Sequence, residues 1–182
     1  KNLDKPFRAG GDAYLTIFLL ENNLSKLSVL NFAELFNTKM FYPRQNTLAY
    51  ADSLLGQSIM VLPLYFLTKN MMVIYNIGVI LTILSSFLAV FFLAYHFTKN
   101  LAGSTIAGLI YTFNPYVMAH YPYDIHMISL QWIALIFLFS EKIIRKVTFK
   151  TSLILSMFFT MQLICSFYYF MFAAVIWPIY ML

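Results

Sequence analysis

The fold class is indicated first by residues 71–97, which read MMVIYNIGVILTILSSFLAVFFLAYHF. This stretch contains no Asp, Glu, Lys or Arg. A helix needs about 20 mainly apolar residues to cross roughly 30 Å of hydrocarbon. The sequence therefore predicts a bilayer-spanning helix over about 71–97.

The same signal recurs towards the C-terminus. No charged residue lies between Lys99 and Asp124, and none follows Lys150. These two gaps predict spanning helices over about 103–121 and 151–177. A further spanning helix is predicted between them, over about 126–144. Asn114-Pro115 is predicted to kink the helix over 103–121 near its far end, because proline lacks the N–H that a helix interior uses.

The composition excludes a soluble globular domain. Hydrophobic residues make up 61% of the chain and charged residues 10%, against roughly 25% charged residues in soluble domains. The single Cys165 excludes an intrachain disulfide framework. The net charge of +5 comes from basic residues at helix ends, so membrane lipids are the predicted partners and nucleic acid is not. We expect an all-α, polytopic bundle of transmembrane helices, and a chain cut from a longer protein.

Residues 1–52 are more polar than the rest, and residues 1–70 are predicted to form an extracytoplasmic loop with interfacial helices. One of these is a short amphipathic helix over about 13–23, for which Asp12 is well placed as the N-cap. Segment 53–68 is uncharged but short, and Gly56 and Pro63 interrupt it. It is either a short crossing or a re-entrant segment, and its length and composition favour the re-entrant form.

Orientation follows from the short loops. One carries Lys99, and another carries Lys142, Arg145, Lys146 and Lys150. The loop 121–125 between them has no Lys or Arg, so the positive-inside rule places the basic loops in the cytoplasm and Asp124 outside. If segment 53–68 does not cross, Asp12 lies on the side of Asp124. If it crosses, the two acids are a bilayer apart.

Three stretches carry a resemblance to a known superfamily. They are Gly10-Gly11-Asp12-Ala13, residues 41–50 (FYPRQNTLAY), and residues 114–132, from Asn114-Pro115-Tyr116 through His126 to Gln131-Trp132. Their order and spacing resemble the GT-C membrane glycosyltransferases, which include protein mannosyltransferases, aminoarabinose transferases and YfhO-like bacterial membrane proteins. The resemblance covers most of the chain. It implies an N-terminal fragment that lacks the first helix, in a bacterial plasma membrane, with an extracytoplasmic active face.

The resemblance also implies an activity, the transfer of a sugar from a polyprenyl-phosphate donor to an acceptor at the outer face. Asp12 matches the acidic residue of the first outer loop, whose catalytic role in the family is that of a base or of a group that orients the acceptor. Asp124 matches the acid of the second, which in some members helps to bind a divalent metal such as Mg²⁺ or Mn²⁺. The sequence departs from the stronger family patterns, because Ala13 and Ile125-His126 follow where another acid is typical. That departure puts metal dependence in doubt.

A leaving phosphate needs cationic or metal stabilisation. Arg44, Lys69 and His126 are the predicted donor-phosphate or substrate-binding residues. Some of these acidic and basic residues could instead have purely structural or lipid-binding roles. Asp12 could act only as a helix cap, Asp52 is predicted to cap the helix that follows Ser53, and Arg44 could bind lipid headgroups.

Two other functional classes are compatible with the sequence. A transporter or flippase could use an acid beside a histidine as a proton relay, and a proline-broken helix is common in such proteins. The predicted spans hold few ionisable residues and the chain shows no internal repeat, which favours the enzyme. A non-catalytic membrane subunit is the third class, and it would tolerate the loss of Asp12.

Overall fold

The computed structural model describes residues 12–182. Residues 1–11, including Gly10 and Gly11 of the first resembling stretch, lie outside the described residues. The described part is helical and contains no strand, so the all-α prediction is confirmed for it. Besides a short 3-10 helix at Thr47–Tyr50, the helices are α1 (Ala13–Leu27), α2 (Leu55–Leu67), α3 (Met71–Thr98), α4 (Leu101–Thr112), α5 (Pro115–His120), α6 (Gln131–Arg145), α7 (Phe149–Cys165) and α8 (Phe167–Met181).

Helix α3 is the longest element, with 28 residues and a mean hydropathy of 2.6 over its most apolar window. The Asn70 side chain caps its start by accepting hydrogen bonds from the main-chain N–H groups of Met72 and Val73. Within residues 12–182, α3 is the one helix long and apolar enough to cross a membrane by itself. Helices α2, α4, α7 and α8 are apolar but have 12 to 17 residues.

The predicted helix over 103–121 is divided into α4 and α5 at Asn114-Pro115. The Asn114 side chain accepts from Val117 N at 3.0 Å and donates to Tyr111 O at 2.7 Å, which stabilises the break. Pro115 is the first residue of α5. A main-chain N–H at this position has no acceptor within the helix, so proline, which lacks the N–H, loses no hydrogen bond there. The next helix begins at Gln131 and not near 126, because residues 121–130 form turns and irregular backbone.

The sequence predicted one helix over 151–177, and the structure corrects this to two. The chain breaks at Ser166, where the backbone is extended (φ −157°, ψ 114°). Trp177 Nε1 donates to Ser140 Oγ at 2.7 Å, near the end of α6, so α8 runs back towards the end at which α7 began. The break is stable because residues distant in sequence satisfy the exposed main chain. Gln57 donates to Cys165 O, and Asp52 accepts from Phe167 N.

Helix α2 packs between α1 and the end of α7. Its 13 residues span about 20 Å, less than the roughly 30 Å of a hydrocarbon core. Asn23 of α1 donates to Ser58 Oγ at 3.1 Å and to Ser53 O at 2.7 Å, which fixes the start of α2 against α1. The larger apolar core lies where these helices meet α3 and residues 117–130. Its fully buried members include Leu20, Leu24, Leu48, Leu54, Ile74, Tyr75, Ile125 and Ile128.

The two ends of α3 have different neighbours. Near its C-terminal end, Lys99, Lys142 and Arg145 lie within electrostatic reach of His96. At the other end, the first turns of α1 contact the irregular segment, since Thr16 Oγ1 donates to Tyr123 O at 3.4 Å. The N-terminal end of α1, with Asp12, and the loop that carries Asp124 therefore lie at the same end of the bundle, away from Lys99, Lys142 and Arg145.

Candidate functional site

A cavity of about 790 Å³ opens at the end of the bundle opposite the basic loops. Its volume lies within the roughly 300–1,000 Å³ of small-molecule sites. The first turns of α1, residues 48–55, His126-Met127, the end of α7 and the start of α8 form its walls. The side chains with polar atoms in this lining are Asp12, Thr16, Tyr50, Asp52, Ser53, His126 and Tyr168. The larger apolar ones are Leu15, Leu19, Phe36, Leu48, Leu54, Leu55, Met127, Leu163, Ile164 and Phe167.

Asp12 occupies the N-cap position of α1, as predicted, but its carboxylate does not cap the helix. Its main-chain oxygen accepts from Thr16 N at 2.8 Å. Its side chain makes no capping hydrogen bond within the described residues, and it lines the cavity. Asp12 is exposed and forms part of the cavity wall, which makes its carboxylate a candidate contact for a ligand there.

Asp52 and His126 face each other across the cavity wall. His126 Nε2 lies 3.6 Å from Asp52 Oδ2, and the side chains are 17% and 11% exposed. Asp52 Oδ1 accepts from Phe167 N at 3.0 Å, at the first residue of α8. A carboxylate is favourable at this position because a helix N-terminus carries partial positive charge.

Asp52 was expected to cap the helix after Ser53, and the structure corrects that expectation. The N-cap position of α2 is Leu54, and no side chain caps it in the described structure. The helix that Asp52 caps begins 115 residues later in the chain. The local sequence indicated that Asp52 caps a helix but not which helix. The sequence also gave no sign that Asp52 lies beside His126, because that contact depends on the tertiary fold.

Asp124 pairs with a different histidine. His120 Nδ1 and Asp124 Oδ2 are 2.8 Å apart, and the Tyr116 ring centroid lies 4.6 Å from that of His120. Neither Asp124 nor His120 lines the cavity. Across residues 12–182, no three His, Cys, Asp or Glu side chains come together as metal ligands. A metal ligand at Asp124 therefore stays a prediction of the resemblance.

Arg44 and Lys69, predicted to bind the donor phosphate, both lie outside the cavity lining. Arg44 is exposed in a turn, where its main-chain N–H donates to Phe41 O at 3.0 Å. Lys69 Nζ lies 3.5 Å from the centroid of the Tyr65 ring, a cation–π contact. Of the described residues that line the cavity, His126 alone has a side chain able to carry positive charge.

Lys26 ties the loop 28–46 to α1 beside the cavity. Its ammonium group donates to Asn37 O, next to the lining residue Phe36. Burial lowers the pKa of Lys26, and the carboxylate of Glu34 partly offsets that shift. The loop is also joined to the 3-10 helix, because Leu48 N donates to Phe36 O at 3.0 Å. These bonds hold one wall of the cavity in place.

Comparisons of the whole chain with known proteins found no relative. No family model, no curated protein and no solved structure matches it. The functional proposal therefore rests on the residues and the geometry described above, together with the resemblance of the three stretches.

Proposed function

We propose that this chain is part of a polytopic membrane glycosyltransferase that moves a sugar from a polyprenyl-phosphate donor to an acceptor at the extracytoplasmic face. One observation carries the proposal. Asp12, Asp52 and His126 line a single cavity, and that cavity lies at the end of the bundle away from Lys99 and Arg145. Basic short loops mark the cytoplasmic side, so the cavity faces outward.

Support for several membrane passages comes from the surface of the helices. Large apolar side chains point away from the bundle on several helices, among them Phe92 (52% exposed), Ile110 (68%), Leu153 (59%) and Ile179 (67%). Apolar surface on this scale is unfavourable in water and suits lipid. Helix α7, with 17 residues, is about 25 Å long, which approaches the thickness of a hydrocarbon core.

The lining of the cavity suits a lipid-linked sugar. Leu15 and Leu163 offer apolar surface to a polyprenyl chain, and Tyr50 and Tyr168 add aromatic faces. The carboxylates of Asp12 and Asp52 can accept hydrogen bonds from sugar hydroxyls. One cavity therefore offers apolar and hydrogen-bonding surface together, which an amphipathic donor requires.

The chemistry assigned to Asp12 is that of a general base. The acceptor hydroxyl oxygen attacks the anomeric carbon, and its proton passes to the Asp12 carboxylate. The bond between the anomeric carbon and the phosphate oxygen breaks, and its electron pair leaves with the phosphate as an oxocarbenium-like centre forms and collapses. Asp12 then returns the proton to water.

The replacement of Asp12 by Asn tests this proposal. Asp12→Asn keeps the shape of the side chain but removes the base, so we expect sugar transfer from a polyprenyl-phosphate donor to fall by about 10²–10⁴-fold. The measurement is transfer by the full-length protein in membranes, at equal expression. Glu21→Gln is the matched control, because Glu21 is an exposed acid on the same helix and lies outside the cavity lining. Transfer at the wild-type rate by Asp12→Asn would exclude the catalytic role.

A transporter or flippase is the second candidate, and the broken helices favour it. Segments 101–120 and 149–181 are each divided, at Asn114 and Ser166, and discontinuous helices are common in transporters. Proteoliposomes distinguish the two functions. A transporter would move a lipid-linked sugar between leaflets without transferring it. The enzyme would transfer the sugar without that movement.

A further inference from the structure

We propose that the basic end of the bundle, formed where α3 and α6 end and α7 begins, binds the phosphate group of an anionic phospholipid in the cytoplasmic leaflet. This inference does not depend on sugar transfer, because it concerns the end of the molecule opposite the cavity. The cationic side chains at the basic end are all exposed, and they are those of Lys99, Lys142, Arg145, Lys146 and Lys150.

The packing of α6 beside α3 brings cations from separate segments together. Ser86 Oγ donates to Gln131 Oε1 at 3.1 Å, which fixes the start of α6 beside the middle of α3. Lys99 lies 13 residues after Ser86. Arg145 lies 14 residues after Gln131, so each cation is about 20 Å further along its own helix. Lys99 and Arg145 are both within electrostatic reach of His96, so the two helices run in the same direction and their cations reach the same level.

The protein itself neutralises little of this positive charge. Within residues 12–182, none of the five cationic side chains of the basic end makes a salt bridge. In the sequence printed here, Glu141 is the one acidic residue after Asp124. The Glu141 carboxylate accepts a hydrogen bond from the Tyr180 hydroxyl. One negative charge therefore stands against five positive ones.

Structural roles account for only part of the remaining charge. Cations are favourable at helix C-termini, where the macrodipole is equivalent to about half a negative unit charge. The ends of α3 and α6 together offset about one of the five positive charges, and Glu141 offsets another. About three positive charges therefore remain uncompensated, which is more than stabilising the two helix ends requires.

Exposed apolar side chains among the cations indicate an amphipathic ligand. Phe149 lies between two of the lysines and is 85% exposed, and Ile144 in the last turn of α6 is 54% exposed. Phe97 and Leu101, on either side of Lys99, are also exposed. A soluble anion would leave these apolar groups in water. A phospholipid covers them with its acyl chains while its phosphate meets the cations.

Arg145 and Lys142 form the centre of the proposed site. Lys142 precedes Arg145 by three residues, so the two side chains are neighbours on the surface of α6. The guanidinium group of Arg145 can donate two parallel hydrogen bonds to phosphate oxygens, and the ammonium group of Lys142 adds a point charge. Removal of this pair should therefore weaken phosphate binding most.

Native mass spectrometry of the full-length protein in detergent tests the proposal, because it counts the lipid molecules bound to each protein. The probes are phosphatidylglycerol and phosphatidylcholine with identical acyl chains. Each cation near the phosphate is expected to contribute about fivefold in affinity. The double variant Lys142→Gln/Arg145→Gln should therefore bind phosphatidylglycerol about 30-fold more weakly at low salt, while its affinity for phosphatidylcholine stays the same.

The chain supplies matched controls. Arg44→Gln/Lys69→Gln removes two exposed cations that lie away from the basic end, and it should leave both affinities unchanged. Lys142→Arg/Arg145→Lys keeps both charges and should retain most of the binding. Glu141→Gln keeps an acceptor oxygen but removes the nearby negative charge, so it should tighten phosphatidylglycerol binding by about fivefold. Damage to the fold does not produce a gain in affinity, so this variant separates charge from folding.

Several results would overturn the inference. They are equal affinity of the wild-type protein for the two lipids, an equal loss in Arg44→Gln/Lys69→Gln, and weaker binding by Glu141→Gln. Displacement of phosphatidylglycerol by millimolar inorganic phosphate would also overturn it, because the site would then bind a soluble anion and not a lipid.

Discussion

At the scale of single residues, Gly56 determines how closely α2 approaches the end of α7. A Cβ atom at this position would lie 2.2 Å from Cys165 Sγ and 3.2 Å from the main-chain nitrogen of Cys165. The neighbouring Gln57 depends on that approach, because its amide donates to both Cys165 O and Ser129 Oγ at 3.0 Å. The absence of a side chain at Gly56 therefore allows the contact that stabilises the α7–α8 break.

Gly56→Ala should destabilise the protein by about 1–3 kcal/mol, the usual cost of forcing an extra methyl group into a packed interior. The measurement is the free energy of unfolding of the purified protein in detergent. Gly103→Ala is the matched control, since the nearest atom to its added Cβ lies 3.7 Å away and alanine is the better helix former. Equal losses in the two variants would show that packing at Gly56 is not the cause.

The residue scale also shows what the sequence could predict. Asp12 and His126 were both expected at a site, and both line the cavity. The placement of Arg44 and Lys69 could not be predicted, because a cation in a turn gives no indication of the direction in which its side chain points. Asp52 was recognised as a cap, but its actual partner, Phe167, is specified only by the tertiary fold.

At the scale of elements, three tyrosines hold the irregular segment 121–130 that carries His126. Tyr75 of α3 donates to the carbonyl oxygens of Pro122 and, at 3.1 Å, Tyr123. Tyr111 of α4 donates to Leu130 O at 3.2 Å. Tyr169 of α8 donates to Met127 O at 2.6 Å, one residue after His126. Three helices thus fix the backbone of a segment without regular structure of its own.

Tyr169→Phe should loosen this segment, because it removes a phenol whose hydrogen bond contributes about 0.5–1.5 kcal/mol. Amide hydrogen exchange of residues 121–130 should become faster, and binding at the cavity should weaken with it. Tyr95→Phe is the control. Tyr95 is 37% exposed near the opposite end of α3, and its loss should leave exchange in the segment unchanged. The account of the segment would be wrong if exchange there were the same in both variants.

The elements also differ in how well the sequence predicts them. An interruption at Asn114-Pro115 was predicted as a kink in one helix, because Pro115 is a local signal, and the structure shows a full break between α4 and α5. The break at Ser166 was not predicted, because the surrounding run of Phe and Tyr contains neither Gly nor Pro. Its partners Gln57 and Asp52 come from 108 and 115 residues away. A break that depends on distant partners leaves no trace in local hydropathy.

At the scale of the whole molecule, the main feature is that the basic short loops and the cavity lie at opposite ends of α3. Lys99, Lys142 and Arg145 gather at one end, and the cavity with Asp12 and His126 occupies the other. Counting loop charges was sufficient to predict the basic end. Predicting the cavity also required the packing of α1 against residues 121–130, which the sequence does not encode locally.

Labelling of cysteines from the two sides of the membrane tests the central claim, that the cavity opens on the extracytoplasmic side. Tyr42 is 87% exposed in the loop beside the cavity, and Val147 is 73% exposed in the basic loop. The native Cys165 is 1% exposed and adds little background. In intact cells, a membrane-impermeant maleimide should label Tyr42→Cys, and it should label Val147→Cys only after the cells are permeabilised. Labelling of both variants in intact cells, or of Val147→Cys alone, would contradict the account.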